Sequence, residues 1–286
     1  MKKRYALVFG GLGQDGHYLE KILAREGLTP ILLGRKNGDV GNQLQVDTIV
    51  STTQPEYIFH FAADSNTAHD SIFDNQDAIV NGTTNILEAV KDHCPKCRVF
   101  LAGSILQFDD NKPIDHMSSF FAFDSAYAAQ RHAMTAIGRY YRKLDIPVYI
   151  GYFGHHDSPR RTEQYLAMRI AQAAKRIAAG SKENIILRDP MDRKEWNFAG
   201  DFMEAVWILV NSTVYEAVIG TGRTMTISGF AELCLKEAGY VGPQRWTPDW
   251  TTATPRVAVT NPKIMAHLGW KPQVNEQELA RMLVAS

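Results

Sequence analysis

The chain reads as an α/β protein built on a doubly wound parallel sheet, with a smaller α/β region towards its C-terminal end. Three features carry that reading. The first is an apolar run, Tyr5 to Phe9, with the unbroken hydrophobicity of a strand buried on both faces. The second is the stretch directly after it: Gly10, Gly13 and Gly16, then Tyr18, Leu19, Ile22 and Leu23 at helical spacing. Strand, glycine turn and helix together make a dinucleotide-binding unit. A pyrophosphate must approach the turn closely, and the helix N-terminus offers unpaired N–H groups and the positive end of its dipole. The third is the alternation of apolar runs with helical patterns along most of the chain, as parallel strands joined by helical crossovers require.

Taken in order, Gly27 closes the first helix, and Pro30 to Gly34 forms the second strand. That strand runs into Arg35 and Lys36, where an NAD-specific fold carries an acid for the ribose hydroxyls. Cations there suit a 2′-phosphate, Arg35 by a forked pair. NADP is therefore the expected cofactor, and NAD the less favoured one. After a glycine-rich loop, 37–42, Leu44 to Val46 is expected as a short third strand, with Asp47 behind it in a place that suits a helix N-cap. Tyr57 to Ala63 is the fourth strand, Arg98 to Ser104 the fifth and Pro147 to Tyr152 the sixth. Between them lie a long kinked helix, 69–93, and a helix starting at Asp124 with Tyr127 in its first turn. Beyond Phe153 the pattern gives helices at 162–179, 200–211, 229–238 and 276–285, a strand at 184–188, and a strand at 215–220 that returns to the sheet. Residues 1–152 with 196–224 are expected as the dinucleotide-binding domain, and 153–195 with 225–286 as the substrate-binding region.

Composition removes several function classes. The chain has 286 residues, enough for a large core, and its 31 Lys and Arg balance 31 Asp and Glu. With no basic block, neither nucleic acid nor an anionic membrane is expected as a partner. No apolar run is long enough to span a bilayer. The basic start, Met1 to Arg4, leads into a strand that a glycine turn interrupts, which is not a signal-peptide pattern. Three cysteines give no disulfide framework, so a reducing cytoplasm is the expected location. Cys94-Pro95-Lys96-Cys97 lacks the second pair a zinc site needs and reads as a helix end and loop. His155, His156 and Asp157 are adjacent and point different ways, a poor chelating arrangement. No metal site is expected.

The glycine spacing is G-x-x-G-x-x-G, and in that it resembles the extended, nucleotide-sugar branch of the short-chain dehydrogenase/reductase superfamily. Several segments resemble GDP-mannose 4,6-dehydratases in particular: Gly13 to Gly16, Phe153 to Arg161, Arg193 to Trp196, Ile219 to Gly222, and Leu268 to Pro272. The resemblance implies a Rossmann domain that binds NADP and takes a nucleotide-sugar substrate. It places Gly10, Gly13, Gln14, Asp15 and Gly16 at the cofactor, with Arg35 at its 2′-phosphate and Asp47 at its adenine. Ala62 and Ala63 are small where the cofactor passes, and His156 and Arg161 fall on further cofactor contacts. Asp64 and Ser65 stand at the ligand crevice, and His155, Arg193 and Lys194 on the substrate side. Asn81, within Val80-Asn81-Gly82-Thr83, takes a structural role holding a neighbouring strand.

Superfamily chemistry uses a Ser or Thr at the end of the fifth strand and a Tyr-x-x-x-Lys on the next helix. Ser104 and Tyr127-Ala128-Ala129-Gln130-Arg131 fill those places. The tyrosine passes a proton to or from a sugar hydroxyl while the nicotinamide takes or gives hydride, and the cation favours the tyrosinate and holds the ribose. Arg131 keeps the charge of the family lysine as a longer planar fork. Two departures stand out. The family glutamate that takes a carbon-bound proton aligns with Leu106, which cannot accept one, and the family's C-terminal arginine region reads Thr251-Thr252-Ala253-Thr254. These favour a keto-sugar reductase or epimerase. The alternatives are a dehydratase that takes its base from Asp64, Asp109 or Asp110, and a catalytically lapsed NADP-binding regulatory protein. Helices 69–93 and 124–145 resemble the superfamily's four-helix dimer pair, and the short loop after Arg35 argues against the family's tetramer. A homodimer is expected.

Overall fold

The computed structural model describes residues 3–64, 69–109, 112–117, 119, 121–252, 254 and 256–286. In chain order, β1 (Tyr5–Phe9), α1 (Gln14–Arg25), β2 (Thr29–Leu33), α2 (Gln43–Thr53) and β3 (Tyr57–His60) open the fold. Next, α3 (Ile72–Asn75) runs through a π-helical stretch, Gln76–Asn81, into α4 (Gly82–His93). β4 (Arg98–Ser104), α5 (Ala126–Arg142) and β5 (Val148–Phe153) come next, then β6 (His156–Asp157), α6 (Leu166–Ala178), β7 (Ile185–Arg188), β8 (Arg193–Lys194), β9 (Asn197–Phe198) and α7 (Ala199–Val210). The chain ends with β10 (Glu216–Ile219), β11 (Met225–Thr226), α8 (Ile227–Glu237), β12 (Trp246–Asp249), α9 (Lys263–His267) and α10 (Glu276–Ala285).

The six-stranded parallel sheet has the order β10-β5-β4-β3-β1-β2. Its strands are unbroken apolar runs because alternate residues enter two different cores. Leu7 and Phe9 of β1, Ile58 of β3, and Val99 and Leu101 of β4 face a core completed by α2, α4 and α5. Ala6 and Val8, Phe59, Phe100 and Ala102 face the opposite core, closed by α1 and α7. Chain direction across the sheet reverses between β1 and β3. The crevice above their C-terminal ends is the topological switch point where such sheets bind ligands. A third core forms away from the sheet, from α6, β7, α8 and α10, and Trp196 stacks on Phe230 within it at 3.9 Å between centroids.

One predicted strand is a helix. Leu44 to Val46 opens α2, because the Asn42 side chain accepts a hydrogen bond from Gln45 N (3.1 Å) and caps the helix. Val46 and Val50 then fall on one helical face and bury, so the main sheet ends at β2. The long helix 69–93 does change its winding, through its π-helical stretch, a common cause of kinks. Asn81 is exposed and bonds within its own turn, to Asp77 (2.8 Å); Asn85 holds the neighbouring loop through Val40 O and Gly41 O. The helix carrying Tyr127 is capped by Ser125 rather than begun by Asp124.

A buried ionic cluster fixes α5 against the sheet. Glu216, at the start of β10, accepts from Arg139 Nε (2.9 Å) and Nη2 (2.7 Å), from Tyr152 Oη (2.7 Å) and from Arg142. Burial works to raise its pKa, but these donors outweigh burial and hold it at about 2, against an ordinary 4.5. The folded carboxyl is therefore the stronger acid. Its stabilising contribution is complete above pH 4.5 and is lost as pH falls towards 2. Glu216→Ala should destabilise the fold by on the order of 3 kcal/mol in urea titration at neutral pH, since it strands two guanidinium groups, and by much less near pH 2. An equal loss at both pH values would contradict this account of the cluster.

Candidate active site

Two grooves run over the C-terminal ends of the strands and share Gly10, Ala62 and Ala63. The larger cavity by volume, about 810 Å³, lies over β2 and the 34–42 loop and reaches Arg35, Asp39, Asp64, Asp74 and Asp77. The other, about 640 Å³, runs from Gly13, Gln14 and Asp15 past Ser104, Leu106, Tyr127 and Arg131 to His155, His156, Arg161 and Lys194. The structure thus brings together most of the predicted site, from stretches of chain far apart in sequence.

The glycines have distinct parts. Gly10 has φ +77°, and a Cβ there would sit 2.6 Å from Ala62 N, so only glycine lets β1 and β3 come this close beneath the groove. Gly16 does not line the groove. It seats α1 on the turn, where a Cβ would meet Gly11 O at 2.1 Å.

Beside the turn, Asp15 Oδ1 lies 3.1 Å from His156 Nε2, and His156 Nδ1 lies 2.9 Å from Gly154 O. Both ring nitrogens face acceptors, an arrangement that favours the doubly protonated ring. Burial opposes that charge, but Asp15 outweighs it and the His156 pKa is raised; the Asp15 carboxyl, which burial would raise, is instead lowered by the same pair. Gln14 adds a second tie, accepting from Ser158 Oγ at 2.8 Å. His155, by contrast, is held neutral: burial first, then the Lys194 and His156 charges, bring its pKa to about 3.

On the other wall, Ser104 Oγ accepts from Leu106 N (3.2 Å), which closes a 3₁₀ turn and turns the Leu106 side chain, 41% exposed, into the cleft. Tyr127 and Arg131, one helical turn apart on α5, face the same cleft. The Arg131 guanidinium lies 5.0 Å from the Tyr127 ring centroid and donates to Ala102 O, while its buried Nε has no partner among the described residues. Arg161 also keeps a buried, unpartnered Nε and stacks 4.0 Å over Tyr165.

Besides Gly16, three predicted residues fall elsewhere. Asp47 lies within α2, 2.7 Å from His93 Nε2, and lines neither groove. Asp39 and Val40 of the short loop stand at the groove in its place. Arg193 bonds Thr224 Oγ1 (3.1 Å) and Thr224 O (2.8 Å) away from the cleft, because adjacent strand residues point opposite ways and Lys194 takes the inward side. Asp64 lines the other groove, its N–H bonded to Asn75 Oδ1 (3.0 Å) and its carboxylate to Ser71 (2.9 Å). Ser65 and Asp110 lie outside the described residues. Sequence reading missed Asp157, Tyr165 and Glu195 as lining residues. Glu195 ties its segment to Thr260 N (2.6 Å) and Thr221 N (2.7 Å). Among the described residues no cluster could hold a metal ion, and no helix is long and apolar enough to cross a membrane.

The groove fits a nicotinamide dinucleotide: a cradle that a Cβ would fill, a helix N-terminus at the turn, and two buried guanidinium nitrogens without partners. Fold and site together define the class, a nicotinamide-dependent enzyme of the extended short-chain dehydrogenase/reductase type. More narrowly, the GDP-mannose 4,6 dehydratase model matches residues 33–283, and the chain belongs to that family. GDP-mannose 4,6 dehydratase 1 of Arabidopsis thaliana is 25% identical, with 99% of this chain and 89% of that protein covered. The GDP-mannose 4,6-dehydratase of Yersinia enterocolitica is also 25% identical, over 84% of this chain and 73% of its own. Among solved structures, RMD from Pseudomonas aeruginosa, complexed with NADPH, superposes with a TM-score of 0.88 at 17% identity, covering 99% of this chain and 98% of that one. UDP-glucose 4-epimerase of Thermus thermophilus, complexed with NAD, gives 0.81 at 21% identity, covering 98% of each chain.

The free Nε of Arg131 beside Tyr127 leads to a prediction. Arg131→Ala should weaken dinucleotide binding about tenfold or more by calorimetric titration, a loss of the size of one charged hydrogen bond, and Arg131→Lys should restore most of it. Unchanged affinity in the alanine variant would remove Arg131 from the cofactor side of the site.

Proposed function

We propose that the chain is an NADP-dependent enzyme that modifies a nucleotide sugar by hydride transfer, acting as a keto-sugar reductase or epimerase rather than as a dehydratase. One observation carries this reading. Leu106 occupies the cleft wall where the family has its proton-abstracting glutamate, while Ser104, Tyr127 and Arg131 stand around it. When bound, the nicotinamide supplies the hydride acceptor or donor. Tyr127 holds the proton that leaves or joins the sugar oxygen, Ser104 orients that oxygen, and Arg131 keeps a positive charge beside the phenol. Of the dinucleotide contacts, the turn from Gly10 to Gly16, His156 and Arg161 take the pyrophosphate and its neighbours, and Ala62 and Ala63 leave room for the ribose. His155 and Lys194 face the sugar nucleotide.

The preference for NADP rests on Arg35. Its contact with Asp74 (3.3 Å) joins two exposed groups, a pair worth little, so the guanidinium is free to turn to a 2′-phosphate. The long helix pair of α3–α4 with α5 supports a homodimer.

The test is to incubate the chain with NADP or NAD and GDP-mannose or UDP-glucose, and with NADPH or NADH and the 4-keto derivatives of those sugars, reading products by mass and chromatographic mobility. A two-hydrogen change or an isomer is expected, faster with NADP. Loss of water from GDP-mannose should be slower than a site bearing its base would give by about 10²–10⁴. Rapid water loss would make the chain a dehydratase with its base elsewhere, and no change across the panel would favour the regulatory reading.

A further inference from the structure

The same cleft contains a carboxylate that the hydride-transfer chemistry does not use. His156 and Asp157 are consecutive in β6, so their side chains leave opposite sides of the strand. His156 turns to Asp15 and to the ring of Phe202, 4.6 Å away. Asp157 is half-buried and lines the cleft together with Ser104, Tyr127 and Lys194. Among the described residues it has no hydrogen-bond or ion-pair partner, and neither does Lys194. Its carboxylate thus faces the cleft, where a ligand rather than another side chain would meet it.

We propose that Asp157 is the carbon-acid base of this site: on a nucleotide sugar that carries a ketone, its carboxylate removes the proton from the carbon beside the carbonyl. The inference rests on the proposed hydride-transfer function, which supplies the ketone, and it adds proton exchange at the carbon beside the ketone to that function. In the step, the C–H bond breaks and the proton passes to an Asp157 oxygen. The C–H electron pair moves into the adjacent C–C bond as the carbonyl π pair moves onto oxygen, giving an enolate. The enolate oxygen is within the reach of the Ser104 and Tyr127 wall. Return of a proton from the acid to the same carbon restores the ketone, and nothing else is consumed.

The surroundings suit that task. Burial raises the Asp157 pKa above its ordinary value, which makes the carboxylate a stronger base. The Arg161, His156 and Lys194 charges act against burial and keep the ionised form accessible, while the Asp15 charge acts with burial. Lys194 is itself drawn down, first by burial and then by Arg256, with Asp192 and Asp157 opposing. His155, neutral beside them, adds no competing charge.

The test is single-turnover reaction of the full chain with NADP and GDP-mannose or UDP-glucose in deuterium oxide. Absorbance of the reduced nicotinamide reports hydride transfer, and mass spectrometry of the recovered sugar nucleotide reports carbon-bound deuterium. Hydride that leaves a carbon and returns to it brings in no solvent deuterium, so incorporation measures proton abstraction alone. The sugar nucleotide recovered from the unaltered chain should gain one mass unit at carbon. Asp157→Asn should lower incorporation by about 10² or more, with a far smaller effect on the absorbance change, and Asp157→Glu should recover part of it. Equal melting temperature and NADP affinity exclude a folding defect in the variants. Absorbance change without deuterium in the unaltered chain overturns the inference and leaves the hydride-transfer function standing. Full incorporation by Asp157→Asn also overturns it. No absorbance change with either sugar overturns both.

Discussion

The half-buried pair between Asp15 and His156 joins two parts of the chain that are 141 residues apart, and the site depends on it. A carboxylate at the head of α1 would by itself repel a pyrophosphate brought to the helix N-terminus. With an imidazolium against it, the local charge is balanced, and Arg161 adds a net positive charge on the same side. The pair also fixes β6 over the glycine turn, with Gln14 and Ser158 bonded alongside. In that way the strand that carries His156 and Asp157 becomes a wall of the cleft instead of a loop above it.

The sheet supplies the opposite wall by a different constraint. Its strands are buried on both faces, so polar and catalytic side chains can appear only where the strands end. Ser104 is the last residue of β4, and the next residues turn immediately into a 3₁₀ coil that presents Leu106. Tyr127 and Arg131 come from α5, which Glu216 clamps to the sheet through Arg139 and Arg142. The cleft therefore lies between a rigid sheet edge and a strap held by the Asp15–His156 pair, the Ser158–Gln14 bond and pairing with β9. That arrangement positions a phenol, a hydroxyl and a carboxylate around one ligand.

Much of this is legible in the sequence where the signal is local. The glycine turn, the strand ends and the Tyr127–Arg131 spacing are short-range patterns, and the sheet can be read from its apolar runs. Features that depend on tertiary contacts are not legible. Leu44 to Val46 is too short to distinguish strand from helix by pattern, and the Asn42 cap and the burial of Val50 decide it. Counting from a strand that does not form misplaces Asp47 and passes over Asp39. Arg193 and Lys194 are alike in type, and only the side of β8 on which each emerges separates the one that lines the cleft. Asp157 can be seen in the sequence as part of a poor chelating trio, but its isolation among cations is a property of the folded cleft.

The central claim is that this is a working hydride-transfer site in which Tyr127 handles the proton at the sugar oxygen. Tyr127→Phe removes one oxygen from a nearly buried side chain and leaves its packing in place. The direct measurement is the single-turnover rate of nicotinamide reduction by this variant and by the unaltered chain, on the nucleotide sugar that the unaltered chain oxidises. The account predicts a fall of about 10² or more with NADP affinity nearly unchanged. An unaltered rate would contradict it, and would take the tyrosine out of the chemistry of this fold.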